Sequence, residues 1–331
     1  MAASTLDVVG IGNAIVDVIA SAEDDFLVRH GMVKGSMMLI DEARAEAIYN
    51  AMGSAVVSSG GSAGNTIAGI ASLGGKTGFI GKVRDDALGR EFRHDIVAAG
   101  AVFPTAPAGD GPATARCLIL VTPDSQRTMN TFLGACVNLT TDDIDADLIA
   151  SAQFTYLEGY LYDQPAAQEA FHKASEIAHE AGRKVALSLS DPFCVQRHRS
   201  AFMKLVDHHV DMLFCNEGEV LALFETENLQ RAIVRLRSMT ELAAITCGAY
   251  GSIVLSADET IEIPAAPATQ VVDTTGAGDL YAAGFLFGLT RKAQLAQCGR
   301  FGSLAASEII SHFGARPQTP LHELIGVSSA G

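Results

Sequence analysis

The stretch FTYLEGYLYDQPAAQEAFHKASEIAHEAGRKVALSLS, residues 154–190, passes from a short apolar run into a helical pattern and out into a second apolar run. FTYLEG (154–159) reads as a strand. QPAAQEAFHKASEIAHEAG (164–182) reads as a helix, ending in a glycine suited to the C′ position, where a left-handed residue closes the last turn. KVALSLS (184–190) is a strand again. Strand, helix and strand in succession imply a crossover, and crossovers build parallel sheets covered on both faces. The same rhythm extends outward: DVVGIG (7–12) and KTGFIGKV (76–83) precede it, and DMLFCN (211–216), LAAITCG (242–248) and GSIVLS (251–256) follow. The expected fold is α/β, one domain over residues 1–331 with a doubly wound, mainly parallel sheet. There is no internal repeat and no low-complexity tract.

Two stretches break the rhythm. Residues 15–40 and 103–134 contain GSMMLID and ATARCLILVTPDSQRTMNTF, which alternate in the manner of antiparallel strands, and PTAPAGDGPAT (104–114) precedes the second. They are expected to form a small β-sheet lid over one edge of the main sheet. A lid suits a site that must exclude water.

Composition narrows the function. Of 331 residues, 48% are hydrophobic and 18% charged, so a large core is available and disorder is not expected. A formal charge of −15 argues against nucleic acid as a partner and offers no basic face to an anionic membrane. An anionic small substrate stays open, because local backbone dipoles outweigh global charge at short range. The six cysteines are scattered without a C-x-x-C pair and read as buried, reduced thiols. The start, MAASTLDVVGIGNAIVDVIA, lacks a basic segment and is interrupted by Asp7 and Asp17, so it reads as a core strand rather than a signal peptide. With no bilayer-length apolar run, a soluble, cytoplasmic protein is expected.

Two phosphate motifs fail on inspection. GIASLGGKT (69–77) has its glycine and lysine one residue too far apart for a Walker loop. GIGNAI (10–15) has Ile15 where a dinucleotide fingerprint needs its third glycine. DTTGAGDLYAAGFLFG (273–288) does better, leading from a loop into a helix-length run of small and apolar residues. Gly276, Ala277 and Gly278 then lie at a helix N-terminus, where free amides and the positive dipole end stabilise phosphate and small side chains let it approach. Asp279 sits beside them. A carboxylate does not bind phosphate, so its chemical reading is to take a proton from an attacking hydroxyl. The plainer reading is an acid in the first helical turn complementing the dipole.

DTTGAGDLYAAGFLFGL resembles the C-terminal signature of the ribokinase, or PfkB-type, carbohydrate and nucleoside kinases. GGSAGNTIAGIASLGGKTGFIGKVRDDALG (60–89), NEGE (216–219) and TCGAYGS (246–252) resemble further motifs of that family, in order, over roughly residues 7–317. The resemblance implies a ribokinase-like fold with a lid, ATP and Mg²⁺ as cofactors, and a small-molecule nucleoside or sugar as acceptor. Carried over, it makes Asp279 the catalytic base and residues Gly276, Ala277 and Gly278 the anion hole. Asn13, Asp17, Gly61 and Asn65 hold the acceptor. Asn216, Thr246, Gly248, Gly251 and Thr275 line the ATP groove, while Asn216 and Glu219 organise Mg²⁺ largely through water. Arg127, in SQRTMNTFLG, swings in with the lid to stabilise phosphoryl charge; its bland alternative is an exposed lid arginine. The family analogy also leaves room for a monovalent cation (K⁺) before residue 273, and for either a monomer or a lid-mediated homodimer.

Within the family, GIGNAIVDV (10–18), LSLSDPF (187–193) and FLGA (132–135) look most like the adenosine kinase branch, although Asp191 stands where eukaryotic members usually carry a small residue. The expected reaction is transfer of the γ-phosphate of ATP to a primary hydroxyl of a ribosyl substrate, adenosine first. A kinase for ribose, fructose or a ketodeoxy acid is the alternative, and a catalytically silent ligand-binding regulator a more distant one. Phe103, Phe132 and Tyr160 are candidates for a wall against a purine. His208 and His209 read as surface or helix-end histidines, DDIDADL (142–148) as a solvated helix start, and Met37 and Met38 as packing under the lid, with contact to substrate as the alternative.

Overall fold

In the computed structural model, which describes residues 5–124 and 126–326, hydrophobic alternation along the first strand sets the layers. Val8 packs into one core, whereas Val9 and Ile11 pack into another on the opposite face of the sheet, as the two-residue period of a strand requires. Residues 1–4 of the N-terminal stretch, residue 125 of the lid stretch and residues 327–331 lie outside the described residues.

The main sheet holds β1 (Leu6–Ile11), β5 (Thr77–Ile80), β6 (Ala101–Val102), β9 (Ala152–Glu158), β10 (Lys184–Ser188), β11 (Met212–Asn216), β12 (Leu242–Thr246), β13 (Ser252–Ser256) and β14 (Thr260–Ile263). Their order is β14-β13-β12-β11-β10-β9-β1-β5-β6. Every pairing from β6 to β12 is parallel, and β13 and β14 add an antiparallel edge. The helix anticipated after residue 164 spans Pro165–Glu180, with Gly182 in the left-handed region just beyond it. It packs on one face of the sheet with helices Pro192–His209 and Glu217–Phe224. Helices Ser62–Ser72, Ala277–Thr290 and Leu295–Ile309 cover the other. From Leu280 to Gly288, helix Ala277–Thr290 is buried on all sides, and its small residues explain how: a Cβ on Gly288 would lie 2.8 Å from the Cys298 sulfur.

The lid is a second sheet of β2 (Ile15–Ser21), β3 (Met37–Leu39), β4 (Val56–Ser59), β7 (Ala115–Val121) and β8 (Arg127–Phe132), ordered β3-β8-β7-β2-β4. It departs from the antiparallel expectation. β7 pairs antiparallel with β8, and β2 with β4, but β2 runs parallel to β7 and β3 to β8. Side-chain alternation reports which face a residue occupies and carries no information on strand direction. β4 lies outside both predicted lid stretches. All six cysteines are free, five of them buried. Among the described residues no helix is long and apolar enough to cross a membrane.

Candidate active site

A cavity of about 680 Å³ lies where the carboxyl ends of the parallel strands meet the lid. Glu158, Ser188, Asn216 and Thr246 reach it from consecutive ends of β9 to β12, and Met37, Ile119 and Met129 from the lid. Carboxyl ends are where open α/β sheets leave room for ligands.

At its centre, Gly276 adopts φ +79° and starts helix Ala277–Thr290. The amide of Ala277 turns back onto the Thr274 carbonyl at 3.2 Å, so it is not free for an anion. Those of Gly276, Gly278 and Asp279 have no acceptor among the described residues. A Cβ on Gly278 would meet nothing within 4 Å, because the space beyond it is cavity. Free amides at the head of a buried helix make an anion site.

Asp279 occupies the third helical position. Its Oδ1 accepts from Ser62 Oγ at 2.6 Å and its Oδ2 from Asn65 Nδ2 at 2.9 Å. Burial raises its pKa, while these two hydrogen bonds pull the other way. Ser62 and Asn65 sit one turn apart at the start of helix Ser62–Ser72. The glycine pair before them is demanded by crowding: a Cβ on Gly60 would collide with the Asp17 carboxylate and one on Gly61, at φ +82°, with the Asn13 carbonyl. Asn13, Asp17, Gly61, Asn65 and Asp279 therefore line one wall together.

Glu158, which the sequence reading did not single out, is buried among them. Its Oε1 accepts from Asn13 Nδ2 at 2.6 Å and its Oε2 from the Ala63 amide at 2.8 Å. Burial pushes Glu158 and Asp17 each up to about 7, far above the ordinary carboxylate range. A carboxyl whose folded value is raised binds its proton more tightly folded than unfolded. Its stabilisation is complete below about pH 4 and disappears as pH rises through about 7. The melting temperature of the unliganded protein should accordingly climb between pH 8 and pH 6, and Glu158→Gln should flatten that slope. Thermal scans across this range check it.

Asn216 and Glu219 form a reciprocal cap on helix Glu217–Phe224. Asn216 Nδ2 and its backbone amide donate to the two Glu219 oxygens at 2.7 and 3.0 Å, and burial pushes Glu219 up to about 7. No group of three or more His, Cys, Asp or Glu able to hold a metal directly occurs among the described residues. A buried carboxylate beside Asp191, with no cation paired to it among the described residues, suits a hydrated divalent ion bridged by water.

Thr246 and Thr275 line the cavity, whereas Gly248 and Gly251 do not. They shape the turn from β12 to β13 at φ +57° and +92°, and a Cβ on Gly251 would strike the Ile263 carbonyl. Arg127 is neither exposed nor on the cavity wall. It leaves β8 of the lid and pairs with Asp273 at 2.7 Å, both side chains being at most 10% exposed. Asp273 also accepts from Thr275, through its amide at 3.1 Å and its hydroxyl at 2.8 Å. Nε and Nη2 of Arg127 are buried without partners.

Of the three aromatic candidates, one reaches the cavity. Tyr160 lines the cavity, but Phe103 packs on Phe79 and Phe92, and Phe132 is core. The lid contributes aliphatic and sulfur-bearing side chains instead, Ile15, Leu39, Ile119, Met129 and Leu133. Met37 reaches the cavity too, and Met38 does not. His208 and His209 end helix Pro192–His209, and Asp145 caps helix Ala146–Ser151.

The chain matches known proteins over most of its length. The family model described as "pfkB family carbohydrate kinase" matches residues 31–321. The chain is similar to the crystal structure of adenosine kinase from Sinorhizobium meliloti, with 50% identity, a TM-score of 0.90 and coverage of 97% of this chain and 98% of that one. A probable sugar kinase protein from Rhizobium etli CFN 42 gives 46% identity and a TM-score of 0.90 over 97% of both chains. The 5-dehydro-2-deoxygluconokinase of Shouchella clausii is 31% identical over 271 residues, 79% of this chain and 83% of that protein.

Proposed function

The chain belongs to the pfkB family of carbohydrate kinases, and from that premise we propose that it transfers the γ-phosphate of ATP to a primary hydroxyl of a neutral ribosyl substrate, adenosine first. As a member it is a phosphotransferase with an alcohol acceptor, served by a nucleotide and a divalent metal. One observation carries the reading of the site: Asp279 stands in the cavity beside the free amides of Gly276 and Gly278, its two oxygens oriented by Ser62 and Asn65.

In the proposed reaction the acceptor oxygen forms a bond to the γ-phosphorus as the bond from that phosphorus to the ADP oxygen breaks. The hydroxyl proton passes to Asp279. Burial raises the basicity of this carboxylate, which favours its accepting a proton. The amides of Gly276 and Gly278 stabilise the charge on the transferring group. Asn216 and Glu219 would hold Mg²⁺ through water, and the ion supplies charge neutralisation on the phosphates. Asn13, Asp17 and Asn65 offer acceptors and donors suited to sugar hydroxyls.

Charge favours a neutral acceptor. Asp17, Glu158, Asp163, Asp191, Glu219 and Asp279 all line the cavity. Arg197 is the basic side chain on that wall, and it is already paired with Asp163 at 2.8 Å. An acceptor carrying a carboxylate or phosphate would find no unpaired cation there among the described residues. The apolar lid wall favours a base-bearing nucleoside over a free sugar, which would leave those side chains uncovered.

An ADP-release assay with adenosine, other nucleosides, ribose, fructose and 5-dehydro-2-deoxygluconate tests this. Adenosine should give the highest kcat/KM, and the acid should fall at least about a hundredfold lower, the cost of roughly 3 kcal/mol for an unpaired charge. Preferred turnover of the acid overturns the neutral-acceptor reading. Tight adenosine binding with no turnover of any acceptor would make the protein a ligand-binding regulator.

A further inference from the structure

Arg316 follows the last long helix, Leu295–Ile309, and turns its guanidinium inward. Nε donates to the Ser59 carbonyl at 3.0 Å, Nη2 to Ser59 Oγ at 3.0 Å and Nη1 to the Gly64 carbonyl at 2.5 Å. All of these acceptors are uncharged. Enclosing a cation without a carboxylate in contact is costly, so the position calls for a reason beyond packing.

Its location supplies one. Ser59 ends β4, and Gly64 lies in the first turn of helix Ser62–Ser72. The guanidinium therefore spans the Gly60–Gly61 bend from both sides. That bend carries Ser62 and Asn65, the two residues that hold the oxygens of Asp279. The Ser59 amide is tied in turn to Asp95 at 2.9 Å. A Cβ on Gly64 would lie 3.4 Å from Nη2.

We propose that Arg316 is a positioning residue of the phosphotransfer site. It clamps the bend between β4 and helix Ser62–Ser72 so that Ser62 and Asn65 meet Asp279, and it sets a buried cation behind the two residues that hold that carboxylate. The inference rests on Asp279 acting as the base. The groups facing Asp279 are otherwise acidic or phenolic: Asp17 from β2, Tyr156 and Glu158 from β9, Tyr160 after it, and Glu219 from helix Glu217–Phe224. Against burial, Arg316 is the cation that lowers the pKa of Asp279, and it lowers that of Asp17 together with Arg127. Its own value is pushed down to about 10 by burial, which Asp17, Asp95 and Asp279 oppose.

The test is a ¹³C NMR titration of aspartate-labelled protein, with the Asp279 carboxyl assigned through Asp279→Asn, in the wild type, Arg316→Met and Arg316→Lys. The pH profile of kcat/KM for adenosine is measured beside it. In Arg316→Met the Asp279 titration and the acid limb of the profile should both move to higher pH, with kcat at pH 7 lower on the order of tenfold. Arg316→Lys should return the titration toward its wild-type position and still fall short in kcat, since an ammonium cannot bridge Ser59 and Gly64 as a planar fork does. An unmoved Asp279 titration in Arg316→Met, or full kcat in that variant, overturns the proposal. Should Arg316→Met fail to fold, Arg316→Gln takes its place with the same expectations. The titration needs no turnover, so an inactive wild type would sink the kinase reading while the NMR still judges Arg316.

Discussion

Asp279→Asn is expected to lower kcat about a thousandfold while leaving ATP affinity unchanged or slightly tighter. The amide keeps the volume of the carboxylate and one oxygen to accept from Ser62. Its nitrogen then faces Asn65 Nδ2, donor against donor, so one orienting hydrogen bond is lost. More important, the amide cannot take the proton. Removing a negative charge beside the helix N-terminus also relieves repulsion toward a triphosphate, which is why nucleotide binding should not suffer. Single-turnover ADP formation and calorimetric ATP titration separate the two effects. Wild-type turnover in this variant would reduce Asp279 to a residue that complements the helix dipole.

What could be read beforehand follows from how each feature is encoded. The strands of the parallel sheet other than the two-residue β6 were legible because a buried strand needs a continuous apolar run, and the helices between them fix strand direction. The helix head in the DTTGAGD stretch was legible because small residues ahead of a helix-length apolar run mark such a start. Other features leave no such mark. β4 is short, and Val56 is largely exposed, so it joins the lid through backbone pairing that the sequence does not announce. Glu158 is a single acid at a strand end whose partners, Asn13 and Ala63, lie 145 and 95 positions away. Ser62 stands between two residues that were named, yet nothing in its spacing points at Asp279. Phe103 and Phe132 failed as wall residues because aromatic content says how many rings exist and not which face a cavity. Gly251 matters through the Ile263 carbonyl it would otherwise strike, a packing reason in place of a nucleotide contact.

Arg127→Met should cost both stability and activity, and Arg127→Lys should tell the two apart. The pair with Asp273 joins β8 of the lid to the loop before helix Ala277–Thr290, and both partners are shielded from water. Truncating one side leaves a buried carboxylate without its cation, a loss of about 3 to 5 kcal/mol. Asp273 also orders Thr275 immediately ahead of the anion site, so its disturbance should pass to the amides of Gly276 and Gly278. Lysine can restore the charge opposite Asp273. It cannot restore Nε and Nη2, the two buried nitrogens without partners, which in the proposed reaction would turn to the transferring phosphoryl group. Denaturant titration of Arg127→Lys should accordingly show most of the wild-type stability, while kcat stays about a hundredfold low or worse, within the range lost when an arginine leaves a phosphoryl transition state. Recovery of both together would make Arg127 a latch between lid and loop with no part in the chemistry. Because Phe313 stacks at 5.1 Å on the same guanidinium, Phe313→Ala provides a milder perturbation in the same direction: it loosens the arginine without removing a charge, and should lower kcat by less than Arg127→Lys does.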